Sequence, residues 1–268
     1  YITEKYLDQA VSDNNPDYAA CTIMNPKTGD ILAMATAPTY DPNSPFTPTT
    51  DALKSKWDTL SSAEKTKELQ NLWRNRVITD TFEPGSVFKT VTAAVALEEG
   101  LVKDVDTVKF LCNGYLKIEG WDMKCWRYYN PHGKQSLRQG LMNSCNPVFM
   151  SIALTIGKVK YYDYLSALGV SKKTGIDLPG EVNGIIHQIA NVTDSTIASA
   201  AFGQGFTLTQ LNMLNVISVF GNDGILMKPR IVSKILDRNG NVVQENEPVA
   251  EKQVFSKETA NAVLDMMT

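Results

Sequence analysis

Long apolar runs are missing from this sequence. No stretch of 18 or more apolar residues occurs in its 268 residues, so nothing in it reads as a membrane-spanning helix. Long basic runs are missing too, and a formal net charge of −3 gives no support for a nucleic-acid partner. The opening residues, Tyr1-Ile2-Thr3-Glu4-Lys5-Tyr6, lack the basic and apolar regions of a secretory leader and lack an initiator Met. The chain therefore reads as a piece of something longer. Histidine is scarce, with only His132 and His187, and no Gly-x-Ser-x-Gly elbow occurs, which disfavours a serine–histidine hydrolase. No phosphate-cradling loop is present either, since Gly133-Lys134 lacks the leading glycine that such a loop needs. Internal repeats and low-complexity tracts are absent. What remains is a chain 43% hydrophobic and 21% charged, enough to bury a large core.

The stretch Thr81-Phe82-Glu83-Pro84-Gly85-Ser86-Val87-Phe88-Lys89-Thr90 organises the rest. Pro84 and Gly85 end what precedes them, and Phe88, Val91, Ala94, Val95 and Ala96 then recur at roughly helical spacing up to Gly100. Ser86 is expected in the first turn of a buried helix, with Lys89 one turn on and on the same face. A serine hydroxyl is a weak nucleophile until a base takes its proton. A lysine held among apolar neighbours can have its pKa lowered enough to be that base. The helix N-terminus adds free N–H groups near a developing oxyanion. The plainer alternative is an N-cap serine followed by a solvated lysine.

Before this stretch, residues Ile2 to Val11 are helical in period, and Ala19 to Met24 and Asp30 to Thr36 read as a hairpin about Asn25-Pro26-Lys27-Thr28-Gly29. Asp51 to Leu72 reads as one polar, helical segment. Beyond it, Lys103 to Gln135 has little periodicity. Ser136 caps a short helix to Met142, Pro147 opens another to about Ile156, and Tyr161 to Leu168 is helical. Ser171 to Gly184 reads as a loop, Thr209 to Phe220 as an apolar helix, and Ile231 to Leu236 with Val242 to Gln244 as a second hairpin. A C-terminal helix from Lys257 to Met267 is capped by Ser256. Helices alternating with antiparallel hairpins predict an α/β fold whose sheet is largely antiparallel, with a helical region from Ser136 to Ile156.

Ser86-x-x-Lys89 followed by Ser144-Cys145-Asn146 at a helix break resembles the active-site signature of penicillin-binding proteins and serine β-lactamases. Asn75-Arg76-Val77, Glu83-Pro84-Gly85, Thr174-Gly175-Ile176-Asp177-Leu178-Pro179-Gly180-Glu181, and Gly203-Gln204-Gly205 with Thr209 narrow the resemblance to the transpeptidase domain of class B penicillin-binding proteins. Asn25 to Ala35 is similar to that family's first hairpin. The resemblance runs through essentially the whole chain, in order.

It implies a mixed, mainly antiparallel sheet flanked by helices plus an all-helical subdomain. It also implies a D,D-transpeptidase that cross-links peptidoglycan stem peptides ending in D-Ala-D-Ala and is acylated by β-lactam antibiotics. Ser86 would be the nucleophile, Lys89 the base, Ser144 a proton shuttle and Asn146 a holder of the substrate amide, with no cofactor required. The family acts outside the cytoplasm, tethered by an N-terminal membrane helix and working with a membrane glycosyltransferase. A β-lactamase or D,D-carboxypeptidase of the same fold, or a non-catalytic sensor or scaffold, are the alternatives. The family's third motif, Lys-Thr/Ser-Gly, lies on a strand after the final helix. The chain, expected as one transpeptidase domain over residues 1–268, would then stop before that strand. Lys173-Thr174-Gly175 precedes the Asp177-Leu178-Pro179-Gly180-Glu181 loop and is rejected as a substitute.

Cys112, Asp122, Cys125 and His132 lie in the weakly periodic segment between the two active-site motifs. Two thiolates, an imidazole and a carboxylate suit a tetrahedral structural Zn²⁺, and some class B members carry such zinc near the active site. A Cys112–Cys125 disulfide and free buried thiols are the competing readings. Cys145 reads as a small packed residue and His187 as structural.

Overall fold

A computed structural model describes all 268 residues. Helix α1 (Ile2–Asn14) buries no side chain and stops at Asn15, which takes a left-handed backbone. Strands β1 (Ala19–Met24) and β2 (Ile31–Ala37) form the expected antiparallel hairpin, with a bulge between Ile23 and Met24. The segment expected as one helix from Asp51 divides into α2 (Asp51–Lys56), a 3₁₀ turn at Trp57–Thr59, and α3 (Ser62–Trp73). The break has a local cause. Ser61 and Glu64 cap each other's backbone N–H groups, and so start a new helix.

Short α4 (Arg76–Thr79) and β3 (Thr81–Phe82) lead to α5 (Lys89–Glu98), the centre of the molecule. Every residue of α5 from Lys89 to Ala96 is buried. A helix apolar on all faces has to be enclosed, and its small residues Ala93, Ala94 and Ala96 admit close neighbours. Each large side chain buried beside it, Phe88 and Phe149 among them, contributes roughly 1.5–3 kcal/mol to folding.

Lys103 to Gln135 is where structure and sequence part. Four short strands occupy it: β4 (Phe110–Cys112), β5 (Tyr115–Ile118), β6 (Trp121–Lys124) and β7 (Gly133–Gln135). They pair as nested antiparallel ribbons, β5 with β6 and β4 with β7. Leu116, Ile118 and Met123 turn inward onto Met150 and Ala198, while Tyr115, Lys117, Asp122 and Lys124 face out.

The helical region follows as α6 (Leu137–Met142), α7 (Asn146–Ile156), α8 (Lys158–Ala167) and α9 (Asp194–Ala200), the last without a sequence expectation. α7 packs on α5, α8 and α9. Strand β8 (Leu208–Thr209) pairs with β3 and leads directly into α10 (Gln210–Ser218), whose first turn Thr209 caps. Next come β9 (Ile225–Met227), the exposed hairpin β10 (Lys234–Leu236) and β11 (Val242–Glu245), β12 (Ala250–Gln253) against β9, and α11 (Lys257–Met266) capped by Ser256. All six strand pairs are antiparallel ribbons, and the one parallel bridge joins Asp30 to Arg230. α11 packs against α5, closing the core from the other side. No helix is long and apolar enough to cross a membrane.

Candidate active site

Buried Pro84 stops the chain after β3, and Gly85–Phe88 forms a 3₁₀ turn that runs straight into α5. Ser86 therefore stands one turn before Lys89 on one face, as its spacing requires, although its own turn is 3₁₀ rather than α. Ser86 is exposed while Lys89 is 1% exposed, so the pair spans the boundary between cleft and core.

The second motif reaches this pair from α6 and α7. Ser136 and Gln139 form a reciprocal cap that starts α6. Gly140 lets α6 approach α7, because a Cβ there would lie 2.8 Å from a Val148 methyl. The link between the helices then swings Ser144 into the left-handed region at φ 47°, an unfavourable conformation for a residue with a Cβ. Neighbours hold the turn. Trp126 Nε1 donates to the Asn143 carbonyl at 3.0 Å, and Asn143 Nδ2 donates to Gln135 Oε1 at 2.8 Å.

Lys89 Nζ then has four oxygens in reach. It lies 3.1 Å from Ser86 Oγ, and 2.8 Å from each of Ser144 Oγ, the Ser144 carbonyl and Asn146 Oδ1. Ser144 Oγ donates to Ser86 Oγ at 3.0 Å, which closes a triangle of two hydroxyls and an amine. Asn146 Nδ2 donates to the Lys124 carbonyl, so the end of β6 forms a wall of the cleft. Burial pushes the Lys89 ammonium down to about 8, against the opposing pull of the Cys145 and Cys125 thiols. An appreciable fraction of Lys89 is thus neutral near pH 7, which a base requires. The four residues expected from sequence come together.

Lys173-Thr174-Gly175 does not join them. The Thr174 N–H and hydroxyl both donate to Glu181 Oε1, and the Gly175 N–H donates to Oε2, so this triad is committed to its own loop around the buried Glu181. His187 is exposed in the loop that follows Glu181.

The cysteine-rich segment converges beside the site, with one change of membership. The donor atoms of Cys112, Cys125, His132 and Cys145 all lie within 4.8 Å of one another. Asp122, expected as a ligand, is corrected: the pleat of β6 turns it outward opposite Lys117, where it is exposed. Cys145, expected only as packing, takes the fourth position at the head of α7, between Ser144 and Asn146. All four cysteines are unpaired, so no Cys112–Cys125 disulfide is formed. Burial pushes the Cys145 thiol up to about 12. Burial acts the same way on Cys112, but the His132 and Gly114 N–H groups and neighbouring thiols outweigh it and leave that thiol below its ordinary value. Burial, with the charges of Arg127 and Lys89, lowers His132 and favours neutral imidazole. His132 Nδ1 lies 3.6 Å from Cys125 Sγ, and its buried Nε2 has no partner. No spacing rule marked Cys145, because its membership depends on folding α7 against β4.

On this helix-and-ribbon scaffold a buried lysine is thus joined to two serines and an asparagine. The chain belongs to the penicillin binding protein transpeptidase domain family, whose model matches residues 19–268. It is 34% identical over 263 residues to stage V sporulation protein D of Bacillus subtilis, covering 98% of this chain and 38% of that protein. It is 28% identical over 269 residues to peptidoglycan D,D-transpeptidase FtsI of Escherichia coli, covering 99% and 39%. Among solved structures it is similar to penicillin binding protein 3 from Mycobacterium tuberculosis complexed with aztreonam. That likeness has TM-score 0.82 at 27% identity, covering 99% of this chain and 54% of the other. The chain thus spans about two fifths of the length of the curated relatives it matches.

Proposed function

We propose that the protein containing this chain is a peptidoglycan D,D-transpeptidase acting through an acyl-enzyme on Ser86. The observation that carries this is the placement of Lys89 Nζ against Ser86 Oγ, Ser144 Oγ and Asn146 Oδ1 together. Neutral Lys89 accepts the Ser86 proton as Oγ attacks the penultimate D-Ala carbonyl of a stem peptide. The oxyanion is met by the Ser86 N–H, which has no intrahelical partner in the first turn. Ser144 Oγ, hydrogen-bonded to both other groups, passes a proton to the departing D-Ala nitrogen as the C–N bond breaks. Asn146 Nδ2 is available to the stem-peptide backbone. An amine of a neighbouring stem then attacks the ester carbonyl, loses its proton through the same groups and releases Ser86, leaving a new amide cross-link.

Two solved neighbours are complexes with aztreonam and with ampicillin, which supports β-lactams as ligands of the same serine. The substrate lies outside the cytoplasm, so the protein is assigned there, anchored by an N-terminal membrane helix and supplied with new glycan by a membrane glycosyltransferase. We place residues 1–268 within one transpeptidase domain and the Lys-Thr/Ser-Gly strand after α11.

The cluster of Cys112, Cys125, His132 and Cys145 fits a structural Zn²⁺. Three thiols and an imidazole make a tetrahedral donor set, and His132 Nδ1 already lies 3.6 Å from Cys125 Sγ. Bound there, zinc would supply cross-linking of β4, the 125–132 loop and the head of α7. Catalysis itself takes no cofactor.

Intact mass of the full-length protein after incubation with a penicillin tests the reading. A stable adduct of one penicillin, lost in Ser86→Ala, is expected. An adduct that survives Ser86→Ala overturns the nucleophile assignment, and one released within seconds by water points instead to a β-lactamase or carboxypeptidase.

A further inference from the structure

The backbone around Ser86 is held from one side by a strap, residues 203–209, that the proposed mechanism does not use. β3 and β8 pair through Thr81–Thr209 and Phe82–Leu208. Toward the nucleophile this ladder cannot continue in register, because Pro84 has no N–H to give. The strap instead carries two extra residues, each pinned elsewhere. Phe206 stacks edge-on against Phe88 with ring centroids 4.9 Å apart, and Thr207 exchanges both backbone hydrogen bonds with Ile185.

Contact resumes two residues out of step. The Gly85 N–H donates to the Gly203 carbonyl at 2.9 Å, and the Gly205 N–H donates to Glu83 Oε1 at 2.8 Å. Gly203 sits so close that a Cβ would fall 2.1 Å from the Gly85 oxygen, and its φ of +81° suits glycine alone. A carboxylate side chain thus takes the place of the ladder bond that the offset removes. Charge-assisted bonds of this kind are about twice as strong as neutral ones.

We propose that Glu83 is a positioning residue for Ser86, acting through Gly205 and the Gly203-Gln204-Gly205 turn. The proposal rests on the reading of Ser86 as the nucleophile. Glu83 makes no hydrogen bond or ion pair with Lys89 or Ser144. Its carboxylate fixes the strap against the segment 83–85, and the Gly203–Gly85 bond then fixes the residue that precedes the nucleophile. Without it the turn can drift by a fraction of an ångström. Such a drift loses the alignment of Ser86 Oγ with Lys89 while leaving the cleft able to bind.

The test is the acylation of the full-length protein by a fluorescent penicillin, resolved into initial affinity and the first-order acylation rate, beside the melting temperature. Glu83→Ala is expected to slow acylation roughly tenfold to a hundredfold with initial affinity and melting temperature unchanged. Glu83→Gln keeps an acceptor oxygen at the same reach and is expected to retain most of the rate. Wild-type acylation in Glu83→Ala overturns the proposal, as does a rate loss that only follows a lowered melting temperature. Glu83→Gln behaving like Glu83→Ala also overturns it. In each of these results the adduct still disappears in Ser86→Ala, so the nucleophile reading stands. An adduct that persists in Ser86→Ala fails that reading and the positioning role together.

Discussion

Lys89 is a core side chain whose nitrogen reaches the cleft. Its aliphatic stem and ammonium lie in the most enclosed helix of the molecule, and burial brings its pKa to about 8. The base form is the neutral amine, so acylation by a penicillin should rise about tenfold per pH unit below 8 and level above it. A rate that is flat between pH 6 and 8 would remove Lys89 from the role of base. Ser144 is argued differently, because it bonds to both Lys89 and Ser86 and so links the proposed base to the proposed nucleophile. Ser144→Ala should lower the turnover of a D-Ala-D-Ala peptide by roughly 10²-fold or more, read from released D-Ala. Ser86 and Lys89 were legible from their spacing after Pro84-Gly85, whereas Ser144 and Asn146 stood out only through the family resemblance, the Ser136 cap and Pro147 marking the helices on either side of them. Cys145 was not legible as a cluster member. Its membership comes from the packing of α7 on β4, and neighbouring residues in the chain do not encode that.

At the scale of elements, two junctions carry the geometry. The first is the close approach of α6 and α7 at Gly140 and Val148. Gly140→Ala should cost about 1–3 kcal/mol in denaturant unfolding. The added Val148→Ala should recover part of that loss, since the two sites share one contact. The second junction is the ribbon lobe of β4 to β7, which the sequence showed only as weak periodicity. Strands of three or four residues are too short to display alternation, and the outer ribbon pairs residues far apart in sequence, Phe110 with Gln135 and Cys112 with Gly133. The polar run from Asp51 misled in the opposite direction: its helical composition continues through Trp57–Ser61, while the Ser61 cap resets the helix. Metal content discriminates at this scale. Cys145→Ser should lower bound zinc per chain, and Asp122→Ala should leave it unchanged. The reverse pattern would restore the carboxylate as the ligand.

Over the whole molecule, the proposed nucleophile, the proposed base and the centre of the core belong to one continuous piece of chain, from Gly85 to Glu98. Exposed side chains beside it, Val87 on the Ser86 turn and Met142 near the second motif, carry no comparable burden of packing. This division governs which inherited changes the protein can survive. A lineage under antibiotic selection cannot blunt the reacting groups by altering α5 without also losing its fold. Viable escape should therefore accumulate at the rim. In a saturation library of the full-length gene grown with and without a β-lactam, tolerated variants should be sparse from Lys89 to Ala96 under both conditions. Drug-enriched variants should cluster at positions such as 87 and 142.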